Sequence, residues 1–257
     1  MLIASLSATL LAAVAGRSVK AAMLFGLGVL AAPASAQTGP PPAEVFVLAT
    51  LYRRHASTPA YNHDTLRRLI TGIRPDVVVL DVSPRELREE IVSAGKAEYT
   101  EVVFPLLREH GYRAYAGEPD EPEFSEIVGQ LGRATTAFRT EHAGLAAADR
   151  AHDEATYAAL AHLWRSAADV NGAVTDRLLA GRRAYQDAVA GAAVADAWQR
   201  WNEHTLAVIR RAVRENPGGR VLVLAGIENC AQLRPVLRNA RDLRLIDIEA
   251  LLRQRSP

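Results

Sequence analysis

The chain holds one cysteine, Cys230, in 257 residues. One thiol closes no internal disulfide, so the fold must stand on its core alone. Cys230 itself reads either as a nucleophile or as a small buried residue at a strand–helix junction. Lysine is almost as scarce, with only Lys20 and Lys96 among the 30 basic residues. An Ala- and Arg-rich, Lys-poor chain fits a GC-rich bacterial coding bias. The arginines are balanced by 29 acids and never form a long basic run. That lacks the electrostatic footprint of nucleic-acid binding, so DNA and RNA are not expected partners. There is no Gly-x-Ser-x-Gly elbow, no Gly-rich phosphate loop with Lys and no dinucleotide fingerprint, which argues against a serine-triad hydrolase, a nucleotide kinase and a Rossmann dehydrogenase. No His-x-x-x-His pair occurs either, and the spacing of His142, His152 and His162 keeps them off one helix face.

Acids are also missing from residues 1–36. There Arg17 and Lys20 precede the apolar run Ala21–Ala32 and then Ala34-Ser35-Ala36, the layout of a cleavable signal peptide. The run is too short for a comfortable membrane span. Cleavage after Ala36 would turn the formal charge from +1 to −1, because Arg17 and Lys20 leave and no acid does. The expectation is an exported, periplasmic or secreted bacterial protein with no stable membrane span after cleavage. Residues 37–43 form a Pro-rich, polyproline-like leader, and a single domain follows over 44–257.

Within that domain, Val45–Ala49, Asp76–Val82 and Arg220–Ala225 are short, largely apolar runs that predict buried strands, and Tyr112–Ala116 and Leu243–Ile248 predict two more strands. Helical spacing predicts helices over Asn62–Ile73, Pro84–Val92, Glu98–His110 and Ala231–Asn239, with Gly111 as a helix stop. Between the third and fourth strands, about 123–216, the composition predicts a helical insertion broken near Gly144, Asn171-Gly172, Gly181 and Gly191. Alternation of strand and helix argues for an α/β fold with a mostly parallel sheet, flanking helices and that insertion.

Open parallel sheets bind ligands beyond the carboxyl ends of their strands. That rule selects Thr50, Tyr52, Arg53, Arg54 and His55 after the first strand and Asp81 and Ser83 after the second. It selects Glu118, Asp120 and Glu121 after the third, and Gly226, Glu228 and Asn229 after the fourth. His55 reads as a general base, a metal ligand or an exposed loop histidine. The acidic loop Glu118–Glu123 reads as a cation site, as a carboxyl of raised pKa, or as a solvated loop before a helix that favours acids in its first turn.

Val47-Leu48-Ala49-Thr50-Leu51-Tyr52, followed by a helix and Pro75-Asp76-Val77-Val78-Val79-Leu80-Asp81, resembles the opening of the TraB/GumN (Tiki-like) group of the erythromycin esterase/ChaN-like superfamily. Trp201-Asn202-Glu203-His204 and Gly226-Ile227-Glu228-Asn229 resemble its later segment. The resemblance covers about residues 44–122 and 198–250. It implies an α/β pocket, and a metal held by two Gly-x-x-His histidines in the Tiki-type proteases. Here those positions carry Tyr52 and Asn229, and the family's Glu after the second strand is Asp81.

The reading is an exported α/β protein that binds a small molecule or peptide without a cofactor, a divergent ligand-binding or pseudoenzyme member. One alternative is a hydrolase using His55, Asp81, Glu118 and Glu228, with a divalent metal possible. Another is a helical protein-interaction module. Thr50, Tyr52, Asn202, His204, Gly226 and Asn229 are the expected ligand-binding residues, and Tyr52 and Asn229 are expected to share one cleft.

Overall fold

The computed structural model describes residues 41–255. The expected signal peptide and most of the Pro-rich leader lie outside the described residues. Five strands, β1 (Ala43–Thr50), β2 (Val77–Leu80), β3 (Arg113–Ala116), β4 (Arg220–Gly226) and β5 (Leu243–Leu245), form one sheet in the order β3-β2-β4-β1-β5. Every pairing is parallel. β1 and β4 match residue for residue from Glu44–Arg220 to Thr50–Gly226. Their apolar runs are buried on both faces, as a parallel sheet sandwiched between helices requires.

Helices α1 (His63–Ile73), α2 (Pro84–Glu89), α3 (Phe104–His110), α9 (Ile227–Arg238) and α10 (Ile248–Arg255) serve the sheet. Asn62 caps α1, its Oδ1 accepting the Thr65 N–H at 2.9 Å, and Ser83 with Glu86 forms a capping box on α2. Gly111 ends α3 in the left-handed region at φ 66°, as expected. Between β3 and β4 run α4 (Glu123–Glu141), α5 (Ala143–Leu163), α6 (Ala167–Val170), α7 (Ala173–Ala190) and α8 (Ala192–Glu215), with α4 packed on α8 and α5 on α7. No helix among the described residues is long and apolar enough to cross a membrane.

Some element bounds need correction. β1 already includes Ala43, which pairs with Leu243. Gly181 does not break the insertion: it lies inside α7, where helix formers on either side carry the backbone through. The fifth strand stops at Leu245, and Asp247 accepts the Ala250 N–H at 3.0 Å to start α10.

β5 covers only Ala43–Val45 of β1, and beyond it side chains take over the ladder. Alternate residues of a strand point their N–H and C=O to the same edge, and on this edge several find partners outside the sheet. The Val45 carbonyl accepts the Ile246 N–H at 2.8 Å. The Val47 carbonyl accepts from the Arg234 guanidinium at 3.1 Å. Ala49 donates its N–H to Asn171 Oδ1 at 2.8 Å, and its carbonyl accepts the Tyr61 hydroxyl at 2.7 Å. Leu51 donates its N–H to His55 Nε2 at 3.0 Å.

Candidate functional site

The connection leaving β2 runs outward to β3, whereas the one leaving β4 runs the other way to β5. The carboxyl ends of β2 and β4 therefore flank the switch point, where parallel sheets open a crevice. Asp81, one residue past β2, is buried there. Its Oδ2 accepts the Gly226 N–H at 3.1 Å and also the Tyr52 hydroxyl. Tyr52 adopts φ 51°, a strained backbone for a bulky residue, at the point where the chain leaves β1. Gly226 makes room for the phenol, since a Cβ there would lie 2.2 Å from the Tyr52 oxygen. Burial, and then the charge of Asp81, pushes the Tyr52 phenol well above its ordinary pKa, so it remains a donor.

Lys96 reaches the same point from a short 3₁₀ turn, Ala94–Lys96, and donates to the Asp81 carbonyl at 2.7 Å and to the Glu118 carboxylate. Burial first, and Asp81 second, raises Glu118 to about 8 against the pull of Lys96. The same two carboxylates hold the ammonium above its usual pKa although burial opposes its charge. One ammonium thus faces two carboxyls, and the pair keeps an extra proton near neutrality. A π-helical turn, Tyr99–Val103, follows; such turns recur at functional sites. Its Tyr99 hydroxyl accepts the Asp81 N–H at 3.1 Å and donates to the Leu224 carbonyl at 3.3 Å. Just before it, Glu98 is wholly buried beside the Thr50 hydroxyl. Burial raises Glu98 to about 7.

Over this polar floor lies a cavity of about 800 Å³. Tyr52, Asp81, Glu118, Gly226 and Asn229 line it together with Ile127, Val128 and Leu131 of α4 and Ala197, Trp198 and Trp201 of α8. The insertion that could pass for an interaction module therefore supplies one wall of the site. Arg53 and Arg54 stand exposed at the rim, with the Arg54 guanidinium 3.8 Å over the Tyr157 ring. Glu228 also lines the cavity but is engaged: Tyr157 donates to it at 2.6 Å, Arg182 at 2.9 Å, and Arg183 lies 3.5 Å away.

Tyr52, Asp81, Glu118, Gly226, Glu228 and Asn229 thus line one cavity. Thr50, His55, Asn202 and His204 do not line it. His55 is buried with both ring nitrogens taken by backbone. Its Nδ1 faces the Tyr61 carbonyl at 2.7 Å and must donate, while Nε2 accepts from Leu51. Those partners fix the neutral tautomer, and burial lowers its pKa to about 4. His55 closes the β1 edge and is not placed as a general base or metal ligand. His204 meets Glu123 at 3.1 Å, and the Asn202 Oδ1 is buried with no hydrogen-bond partner among the described residues. The acidic loop disperses: Glu118 turns inward to Lys96, Glu121 caps Ser125 and Glu123 meets His204. Cys230 is buried, donates to the Ala225 carbonyl at 3.3 Å, and has its thiol pushed up to about 12, which removes it as a nucleophile.

Sequence reasoning missed Lys96, Glu98 and Tyr99, and missed the role of the insertion as a wall. A lone lysine in an arginine chain was the one available signal for the first. The residues at the family's histidine positions do not fit a transition metal, since the Tyr52 phenol stays protonated and donates to Asp81, and an amide is a poor substitute for imidazole. Among the described residues no three His, Cys, Asp or Glu side chains are arranged to hold a metal ion. The chain matches no protein-family model, no curated protein and no solved structure.

Proposed function

We propose that this chain is an exported ligand-binding protein, a divergent TraB/GumN-like domain that has given up metal hydrolysis and kept the pocket. The observation that carries the reading is the cavity itself. Its volume of about 800 Å³ falls within the roughly 300–1,000 Å³ of small-molecule sites, and like them it is mainly apolar with a few convergent polar groups. Asn229 supports the reading, since its amide reaches the cavity and makes no hydrogen bond among the described residues. The test is saturable binding of Nile red, a neutral apolar dye, to wild type and Val128→Trp. Val128 is partly exposed at the cavity wall, so a large side chain there fills the space without entering the core. We expect at least tenfold weaker binding by the variant. Equal binding by both proteins would place the dye elsewhere and sink the reading.

One observation favours a second reading, a carboxyl-assisted hydrolase. Glu118, raised to about 8, lines the cavity, and a carboxyl that holds its proton at neutral pH can serve as a general acid. Hydrolysis of nitrophenyl esters that is lost in Glu118→Gln and declines as pH rises through about 8 would support it. No turnover above buffer would end it.

A further inference from the structure

We propose that the cavity selects a small amphipathic anion, a carboxylate or phosphate ester on an alkyl or aryl body, with its charge at Arg53 and Arg54. The inference rests on the ligand-binding reading and names the ligand class. It follows from the lining charges. Each acid in the lining is already engaged: Asp81 by the Tyr52 hydroxyl and the Gly226 N–H, Glu118 by Lys96, and Glu228 by Tyr157 and Arg182. Neither lining cation is engaged in that way. Among the described residues no carboxylate pairs with Arg53 or Arg54, whereas Lys96, Arg182 and Arg183 behind the lining are all paired.

The two exposed, sequence-adjacent guanidiniums of the lining are therefore its charged groups without a carboxylate partner. The guanidinium fork suits a planar carboxylate or a phosphate. Arg54 is held in place by the Tyr157 ring, which orders it before any ligand arrives. The same lining carries Trp198 and Trp201 of one helix and Ile127 and Leu131 of the other, apolar surface for the body of such a ligand. A neutral ligand would use that surface alone. A cationic ligand would meet two unpaired arginines, and every carboxylate that could answer it is already occupied.

The experiment compares decanoate, decanol and decylamine by calorimetry on wild type, Arg53→Glu and Arg53→Glu/Arg54→Glu. Both arginines are exposed, and the single variant leaves the Arg54–Tyr157 contact intact. We expect decanoate to bind wild type at least tenfold more tightly than decanol, with decylamine weakest. The double variant should lose that advantage while its decanol affinity changes less than threefold. If decanol matches decanoate on wild type, the cavity reading stands and the anion inference falls. If decylamine binds best, the floor carboxyls govern selection and the inference is overturned. If none of the three binds, the inference is overturned, and the Nile red comparison decides separately whether the cavity reading falls with it.

Discussion

Glu98 and His55 are both buried near the end of β1, and they push stability in opposite directions with pH. A carboxyl raised from 4.5 to about 7 binds its proton more tightly when folded. Its contribution is most favourable below pH 4.5 and is lost as pH climbs to about 7, a change of roughly 3 kcal/mol. An imidazole lowered from 6.5 to about 4 does the reverse, losing a similar amount as pH falls through that window. Wild type shows only what remains after these oppose each other. Glu98→Gln should therefore gain on wild type as pH rises from 4.5 to 7, by urea unfolding at each pH. A constant difference across that range would show that the Glu98 carboxyl is ionised when folded. These two residues also mark how far side-chain roles were legible. A histidine after a strand looks like chemistry, and only the unpaired backbone beside β1 shows it to be a cap. Glu98 sits in a helical run where nothing local reveals that its side chain points inward.

Elements were more legible than residues, for physical reasons. β1, β2 and β4 are apolar runs between turn signals, and strands buried on both faces have to be that. The errors fell where one signal hid another. Leucines and isoleucines run from Leu243 to Ile248 with only Arg244 and Asp247 between them, so the change from strand to helix rests on the cap at Asp247. α9 begins at Ile227, directly after β4, and carries Glu228 and Asn229 in its first turn where a loop was expected. Gly181 is the instructive case. It is exposed inside α7, and a Cβ there meets nothing within 4 Å. Gly181→Ala should stabilise the protein by about 0.5–1 kcal/mol through helix propensity and the lower entropy of the unfolded chain. Thermal or urea unfolding would detect it, and a loss of stability would mean that α7 needs the flexible residue.

At the scale of the molecule, the sheet and the insertion share one core. Val45, Leu80 and Leu224 of the strands belong to the same buried cluster as Leu160, Leu179 and Ile209 of the insertion. The insertion is thus bound into the shared core instead of resting on it. Amides of β1, β4 and α8 should share one opening free energy by native-state hydrogen exchange. A distinctly lower value for α8 would show that the cavity wall opens alone. The topology also explains the division in what sequence could tell about the site. Strand ends converge by the geometry of a parallel sheet, so Tyr52, Asp81, Glu118, Gly226 and Asn229 could be grouped in advance. Which face of a long Ala-rich helix turns toward them depends on packing, and that kept Trp198, Trp201 and Ile127 out of view.

The side-chain closure of β1 bears on how copies of this protein behave when crowded. An open strand edge is a template on which a second molecule can lay its own strand, the first step toward domain swapping or fibres. Past Val45, an incoming strand would find the carbonyls of Val47 and Ala49 and the amides of Ala49 and Leu51 already bonded to Arg234, Tyr61, Asn171 and His55. The longest strand of the sheet is in this way sealed against self-recruitment by residues scattered through the chain, with no further strand of its own to cover it.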